Sequence, residues 1–355
     1  MTIRRRREIE IDRAERADAK SVKTLSGILK KLNDAFERNI RSRRRELSDG
    51  QVFGAGAYAA YKLRTSRLNR AKHVLEYMQA VNAGPAAVAR PACHDTSFPA
   101  MKIATYNVNS IRRRLPIVLA WLHEHQPDML CLQETKVSDE EFPVDALRNA
   151  GYHVTFRGMK AYNGVATLSR EIPERIMHGL HEGPDNEDVR ILQTRVQGVP
   201  VVNTYVPQGY KITSDKYAFK LQWFRRIREY FEKYLDPNEP AIWTGDLNVA
   251  PEAIDVYHPD RRVKDVDFHI DARNAFKDAA SWGFIDVFRK LHPYRVQYTY
   301  WDYFRNAFEN NWGWRIDHIL ATAPLAARCT VCDVDIVPRK SADPSDHTIV
   351  WAEFA

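Results

Sequence analysis

From residue 101 to the C-terminus, short runs of apolar and β-branched residues alternate with longer stretches whose apolar positions recur every three or four residues. The short runs predict strands at 102–106, 129–132, 165–168, 200–206, 241–244, 316–321 and 349–354. The longer periodic stretches predict helices at 115–125, 140–150, 216–235 and 272–282. Several strands follow one another with no helix between them, as around 153–206. That order favours mixed sheets packed face to face with helices outside over a purely parallel, doubly wound sheet.

The first hundred residues have a different texture. Leu25, Ile28, Leu32 and Phe36 recur at helical spacing in a highly charged stretch, and Leu68, Ala71, Leu75 and Met78 mark a second amphipathic helix beyond the turn at Ser48-Asp49-Gly50. Between 83 and 100 the chain becomes rich in Ala, Pro and Gly, which suits a linker. The expected organisation is therefore a basic helical extension at 1–82, a linker at 83–100 and an α/β domain at 101–355.

The net charge of +7 changes meaning once it is divided along the chain. Residues 1–100 carry 21 Lys and Arg against 11 Asp and Glu, which leaves 32 against 35 for residues 101–355. The basic character belongs to the extension, whose Arg41, Arg43, Arg44 and Arg45 form a dense run. The extension reads either as an accessory arm that adds non-specific phosphate affinity or as an over-long start. No apolar run is long enough to span a bilayer. The first residues lack the apolar core of a secretory signal, so an intracellular, cytoplasmic protein is expected. Cys329 and Cys332 form a lone C-x-x-C without a second pair or a nearby His, and read as strand residues of a reduced protein.

Candidate chemistry gathers just after the predicted strands. Asn107 and Asn109 follow Ile103-Ala-Thr-Tyr, Gln133-Glu134-Thr135-Lys136 follows Met129-Leu-Cys-Leu, and Asp246 and Asn248 follow Ala241-Ile-Trp-Thr-Gly. Asp317-His318 lies within Arg315-Ile-Asp-His-Ile-Leu, and Ser345-Asp346-His347 precedes the last strand. Carboxylates and amides collected at one sheet edge supply the oxygen ligands a hard divalent cation needs. Hydrolysis of a phosphodiester requires charge neutralisation, an oriented water and help for the departing oxygen. Any one of these fragments could be a turn or a helix cap, but five in order at strand ends point to a single site.

Residues 101–355 resemble the exonuclease III family of abasic-site endonucleases, within the endonuclease/exonuclease/phosphatase superfamily. The matching stretches are Met101-Lys-Ile-Ala-Thr-Tyr-Asn-Val-Asn, Leu132-Gln-Glu-Thr-Lys, Asn163-Gly-Val-Ala, Asn203-Thr-Tyr-Val-Pro-Gln-Gly, Gly245-Asp-Leu-Asn-Val-Ala-Pro, Trp282-Gly-Phe-Ile-Asp-Val-Phe-Arg, Tyr298-Thr-Tyr-Trp-Asp-Tyr and Ser345-Asp-His. The resemblance implies a four-layer α/β sandwich of the DNase I-like type. It also implies Mg²⁺- or Mn²⁺-dependent cleavage of double-stranded DNA, 5′ to abasic sites and stepwise from 3′ ends, in base excision repair.

Carried over by position, the metal set is Asn107, Glu134, Asp246, Asn248, Asp346 and His347. Asp246, steadied by Asn248, would orient or deprotonate the attacking water. His347, held by Asp317, would contact the scissile phosphate, and Tyr205 would assist the transition state or the leaving oxygen. Gln208 and Lys136 are candidates for backbone contact and local charge. Tyr300, Trp301 and Trp314 would wall a pocket for a base-less sugar, a residue that costs little to extrude because it has lost its stacking and pairing.

No membrane and no obligate protein partner are implied, and the substrate would be the DNA of the nucleoid. Two other readings stay open: a phosphoesterase of the same superfamily acting on another phosphoester, and a non-catalytic nucleic-acid-binding protein that uses the basic arm.

Overall fold

Two six-stranded sheets carry the fold of the computed structural model, which describes residues 100–180 and 189–355. The expected extension at 1–82 and linker residues 83–99 lie outside the described residues. The first sheet contains β1 (Met101–Asn107), β2 (Met129–Gln133), β3 (His153–Arg157), β4 (Val165–Ser169), β13 (Cys329–Asp335) and β14 (Ile349–Phe354), in the order β13-β14-β1-β2-β4-β3. The second contains β5 (Arg175–His178), β6 (Ile191–Val196), β7 (Val199–Tyr205), β8 (Ile242–Asp246), β9 (Phe284–Asp286) and β12 (Asp317–Thr322), in the order β5-β6-β7-β8-β12-β9. Each sheet is mixed: β1 runs parallel to β2 and β7 parallel to β8, while the other neighbours are antiparallel.

Alternation along the strands explains the layering. Ile103, Met129 and Cys131 from the first sheet pack with Val201, Ile242 and Ile319 from the second. Their neighbours Ala104, Leu130 and Leu132 point to the opposite face, under α1 (Ile111–His125) and α2 (Val144–Asn149). On the far side, Val202 and Trp243 pack under α3 (Asp215–Tyr234), with Phe276 of α5 (Ile270–Ala280) beside them. Both faces of the central strands are thus buried, so they read as continuous apolar runs. The result is helix–sheet–sheet–helix, the four-layer sandwich that the sequence led us to expect. Cys329 and Cys332 sit on β13 in the inter-sheet core as free cysteines.

The buried layer between the sheets is not wholly apolar. Gln133 Nε2 donates to Asn203 Oδ1 at 2.7 Å and to Thr105 Oγ1 at 2.9 Å. Asn203 Nδ2 donates across to the carbonyls of Ala166 and Leu132. This polar latch, in which the Gln133 amide nitrogen is paired and its oxygen is not, ties the first sheet to the second beside the residues that carry the chemistry.

Two elements depart from expectation. The helix expected at 140–150 is split into a 3-10 turn at Asp139–Glu141 and α2, because Pro143 forces Phe142 into an extended conformation (φ −68°, ψ 133°). The helix expected from 115 begins at Ile111, since Arg112, Arg113 and Arg114 are helical although charged. Short helices α4 (Pro259–Arg262), α6 (Val287–Leu291) and α7 (Ala323–Ala326) and the two-residue pair β10 (Tyr300–Trp301) and β11 (Gly313–Trp314) carry too little periodicity to be read from sequence. No helix among the described residues is long and apolar enough to cross a membrane.

Candidate active site

The site forms where corresponding ends of the two sheets meet. In the second sheet, Tyr205 of β7, Asp246 of β8 and Asp317 of β12 are register partners in one row across three strands. In the first sheet, Asn107 of β1 pairs with Gln133 of β2, so Glu134 leaves its strand beside Asn107. The loop into β14 brings Asp346 and His347 to the same edge. It is held there by Trp301 N–H donating to Asp346 O at 2.9 Å and Thr348 N–H donating to Thr299 O at 2.7 Å. Segments separated by more than 200 residues thereby converge.

Glu134, Asp246 and His347 each offer a ligand atom, and these atoms lie within 4.8 Å of one another. Asn107 Nδ2 bridges the two carboxylates, donating to Glu134 Oε1 and to Asp246 Oδ2, both at 2.8 Å. In this arrangement Asn107 gathers the ligands, its own oxygen accepting from Asn109 N–H at 3.0 Å. Asn248 grips Asp246 twice, through its backbone N–H at 3.0 Å and its side-chain nitrogen at 3.3 Å. Asp346 stands one step back, its Oδ1 accepting from Asn109 Nδ2 at 2.9 Å. Lys136 Nζ lies 2.7 Å from Glu134 Oε2 and also donates to Asn109 Oδ1.

The electrostatics follow from burial and from crowding of charge. His347 Nδ1 lies 2.8 Å from Asp317 Oδ2, and its Nε2 lies 3.7 Å from Asp246 Oδ2. Burial opposes its charge, but Asp317 and Asp246 outweigh that and push the imidazole up to about 10, so it is a cation at neutral pH. Asp246 is pushed well above the usual carboxylate range by burial and by Asp317 and Glu134, with His347 opposing. Burial also acts on Glu134, yet Lys136, Asn107 and His347 hold it below its ordinary value. Tyr205 is pushed well up by burial and by the Glu134 and Asp246 carboxylates, which keeps it a phenol able to donate.

The donor set fits a hard divalent cation. The Glu134 and Asp246 carboxylates share one amide and a third stands behind His347, so burial first and the neighbouring negative charge second drive Asp246 towards its proton. A divalent cation between Glu134 and Asp246 would relieve that repulsion through the oxygen ligands such ions prefer.

The backbone here is unusual. Glu134 (φ 51°), Lys136 (φ 53°), Asn109 (φ 42°) and Asn248 (φ 48°) are all left-handed, and at Glu134 and Lys136 this is strained. The neighbouring loop matches: Gly164 has φ 91°, and a Cβ there would come within 2.1 Å of Thr135 Oγ1.

The expected aromatic pocket is brought together only in part. Tyr300 and Trp314, each half-buried, pack in one cluster with Phe268, Val256 and Ile316. The Tyr300 ring lies 4.9 Å from that of His347. Trp301 is turned away, because successive strand residues face opposite sides. It is only 2% exposed, packs with Tyr298 and Ala307, and hydrogen-bonds Asn311 Oδ1 at 3.1 Å. Gly313, its register partner, makes room: a Cβ there would meet Trp301 Nε1 at 2.6 Å. Gln208 is exposed, its Oε1 capping Tyr210 N–H and its Nε2 reaching to 3.4 Å from Asp267.

Sequence reasoning missed several supporting residues. Arg190 stacks over the Tyr205 ring at 4.8 Å and donates to the Tyr205 carbonyl at 3.2 Å. Arg114 is buried and donates to the carbonyls of Asn109 and Pro344 and to Tyr303 Oη, tying together two loops of the site. Arg315 is buried between Asp255 (2.7 Å) and Asp286 (2.8 Å) behind β12. Arg114 had a legible signal, since it occupies a position of the apolar stripe formed by Ile111, Val118, Trp121 and Leu122. Arg190 had none.

Comparison with known proteins agrees with this architecture. The chain belongs to the endonuclease/exonuclease/phosphatase family, whose model matches residues 104–347. It is 35% identical over 268 residues to exodeoxyribonuclease III of Haemophilus influenzae, covering 72% of this chain and all of that protein. An AP endonuclease structure from Archaeoglobus fulgidus is 51% identical, with a TM-score of 0.70, over 72% of this chain and 99% of that one. The 3′ phosphatase NExo from Neisseria, solved with a product DNA hairpin, is 37% identical with the same TM-score and the same coverage. Within the family, this chain is a DNA-repair nuclease of the exonuclease III branch.

Proposed function

We propose that the enzyme hydrolyses the DNA backbone 5′ to abasic sites, leaving a 3′-hydroxyl, and removes nucleotides stepwise from 3′ ends at the same centre. The observation that carries this reading is the convergence of Glu134, Asp246 and His347 at the joined ends of two sheets. Glu134 and Asp246, gathered by Asn107, would hold a divalent ion, Mg²⁺ or Mn²⁺, with Asp346 as a further carboxylate of the set. When bound, the ion polarises the phosphoryl oxygen and neutralises developing charge.

This chain's own groups do the rest. Asp246, fixed by Asn248, orients the attacking water and accepts its proton. The His347 cation, aligned by Asp317, faces the phosphate oxygens, and its charge favours the more anionic transition state. Tyr205 donates its phenolic hydrogen at the departing oxygen, with Arg190 beneath its ring. Lys136 and Gln208 meet the flanking backbone. Tyr300 and Trp314 receive the extruded deoxyribose, which lacks the bulk of a base. The substrate is duplex DNA inside the cell.

The test is incubation of the protein with a duplex bearing one abasic analogue, with and without EDTA. A single nick on the 5′ side, lost with EDTA and restored by Mg²⁺ or Mn²⁺, is expected. Intact DNA, or cleavage indifferent to chelation, would refute the reading.

A further inference from the structure

We propose that Lys220 is a positioning residue for the reaction, acting on Asp246 through Asn248; this rests on the role proposed above for Asp246. Lys220 lies in the middle of α3, on a helix face otherwise formed by Tyr217, Trp223, Phe224 and Ile227, and none of its surface is exposed. A lysine in an apolar stripe is costly unless its ammonium is fully paired. Here the ammonium faces four acceptors from three loops. Its Nζ donates to Asn248 O at 2.6 Å, Gln208 O at 3.0 Å and Val266 O at 3.2 Å, and makes an ion pair with Asp267 Oδ1 at 2.8 Å.

These loops are the exits of β7 and β8 and the segment that carries Phe268 into the aromatic cluster. The connection to chemistry is short. Lys220 holds the carbonyl of Asn248, a residue kept at φ 48°, and the N–H and side-chain amide of that residue grip the two oxygens of Asp246. Without the ammonium, three carbonyls converge with no donor between them, and the Asn248 backbone is free to leave its left-handed turn. Asp246 then loses the orientation of its lone pairs. Gln208, whose carbonyl the same ammonium holds, loosens with it, so the inference requires a loss of turnover larger than the loss of binding.

The experiment is a double-mutant cycle with the full chain on an abasic duplex, with Asp246→Asn as control. Inactivity of the control upholds the reading of Asp246, and an active control would overturn that reading independently of Lys220. Lys220→Met is expected to lower kcat about 10-fold or more with a smaller change in KM, and to cost less than about threefold of the residual single-turnover rate in the Asp246→Asn background, since residues acting in one chain are non-additive. If Lys220→Met does not fold, Lys220→Arg replaces it in the same cycle with the same expected non-additivity. A variant with a lowered melting temperature but wild-type kcat in its folded fraction, or losses that simply multiply, would overturn the proposal.

Discussion

At the scale of single residues, the site depends on charge held where water cannot compensate it. Asp246→Asn keeps the shape of the side chain but removes the proton acceptor. It is predicted to lower kcat at least about 100-fold with little change in melting temperature; near-normal turnover in a single-turnover assay would contradict the role. A second charged cluster pairs Asp255 with Arg315 and Arg289. Burial alone would raise the Asp255 carboxyl, but Arg315 and Arg289 hold it below its ordinary value. Its folded pKa is therefore depressed, so its contribution is present above the unfolded value of about 4 and is lost as the pH falls through the folded value. Asp255→Asn is predicted to destabilise the protein at neutral pH and to flatten the acid limb of its stability profile, as followed by urea unfolding between pH 7 and 3. An unchanged acid limb would show that the network does not control acid unfolding. Residues with chemistry at strand ends were legible in the sequence because five such fragments recur in order, although each alone could serve a turn or a cap. Arg190 and Arg315 were not, because what marks them is a partner brought close only by folding. The Trp301 assignment failed on strand alternation, which places adjacent residues on opposite faces whatever their chemical similarity.

At the scale of elements, the seven expected strands and the long helices followed from periodicity, whereas β3, β5, β6 and β9 were not read as separate strands, and the other misses have a local cause. The split at Phe142-Pro143 is written in the proline, whose effect on the preceding residue outweighs the helical spacing around it. The left-handed backbone at Glu134 and Lys136 has no sequence signature, since neither residue favours it, and it follows from the hydrogen bonds of Thr135 and Lys136 N–H to the carbonyls of Gly164 and Asn163. Gly245, one residue before Asp246, has φ 131°, and a Cβ there would come within 2.0 Å of Thr204 O in the neighbouring strand. Gly245→Ala is therefore predicted to destabilise the protein by about 2–4 kcal/mol and to displace Asp246. Equilibrium denaturation would expose the error if the variant matched the parent in both stability and activity.

At the scale of the whole molecule, the four-layer sandwich serves to join two sheet ends. Neither sheet alone holds the site, because Glu134 and His347 belong to the first and Tyr205, Asp246 and Asp317 to the second. All the candidate site residues fall within 101–355, and the family model matches residues 104–347. Deletion of residues 1–100 is accordingly predicted to leave kcat on an abasic duplex at low salt within about threefold, with any loss of affinity confined to the salt-dependent component that basic residues supply. Loss of turnover at low salt would assign the extension to the catalytic machinery. The central claim is that Glu134 and Asp246 bind one divalent ion beside a phosphate. The most direct test is titration of Mn²⁺, followed by electron paramagnetic resonance, into the wild type and Glu134→Gln. The account predicts binding weakened about 10-fold or more in the variant, and equal affinity in the two proteins would contradict it.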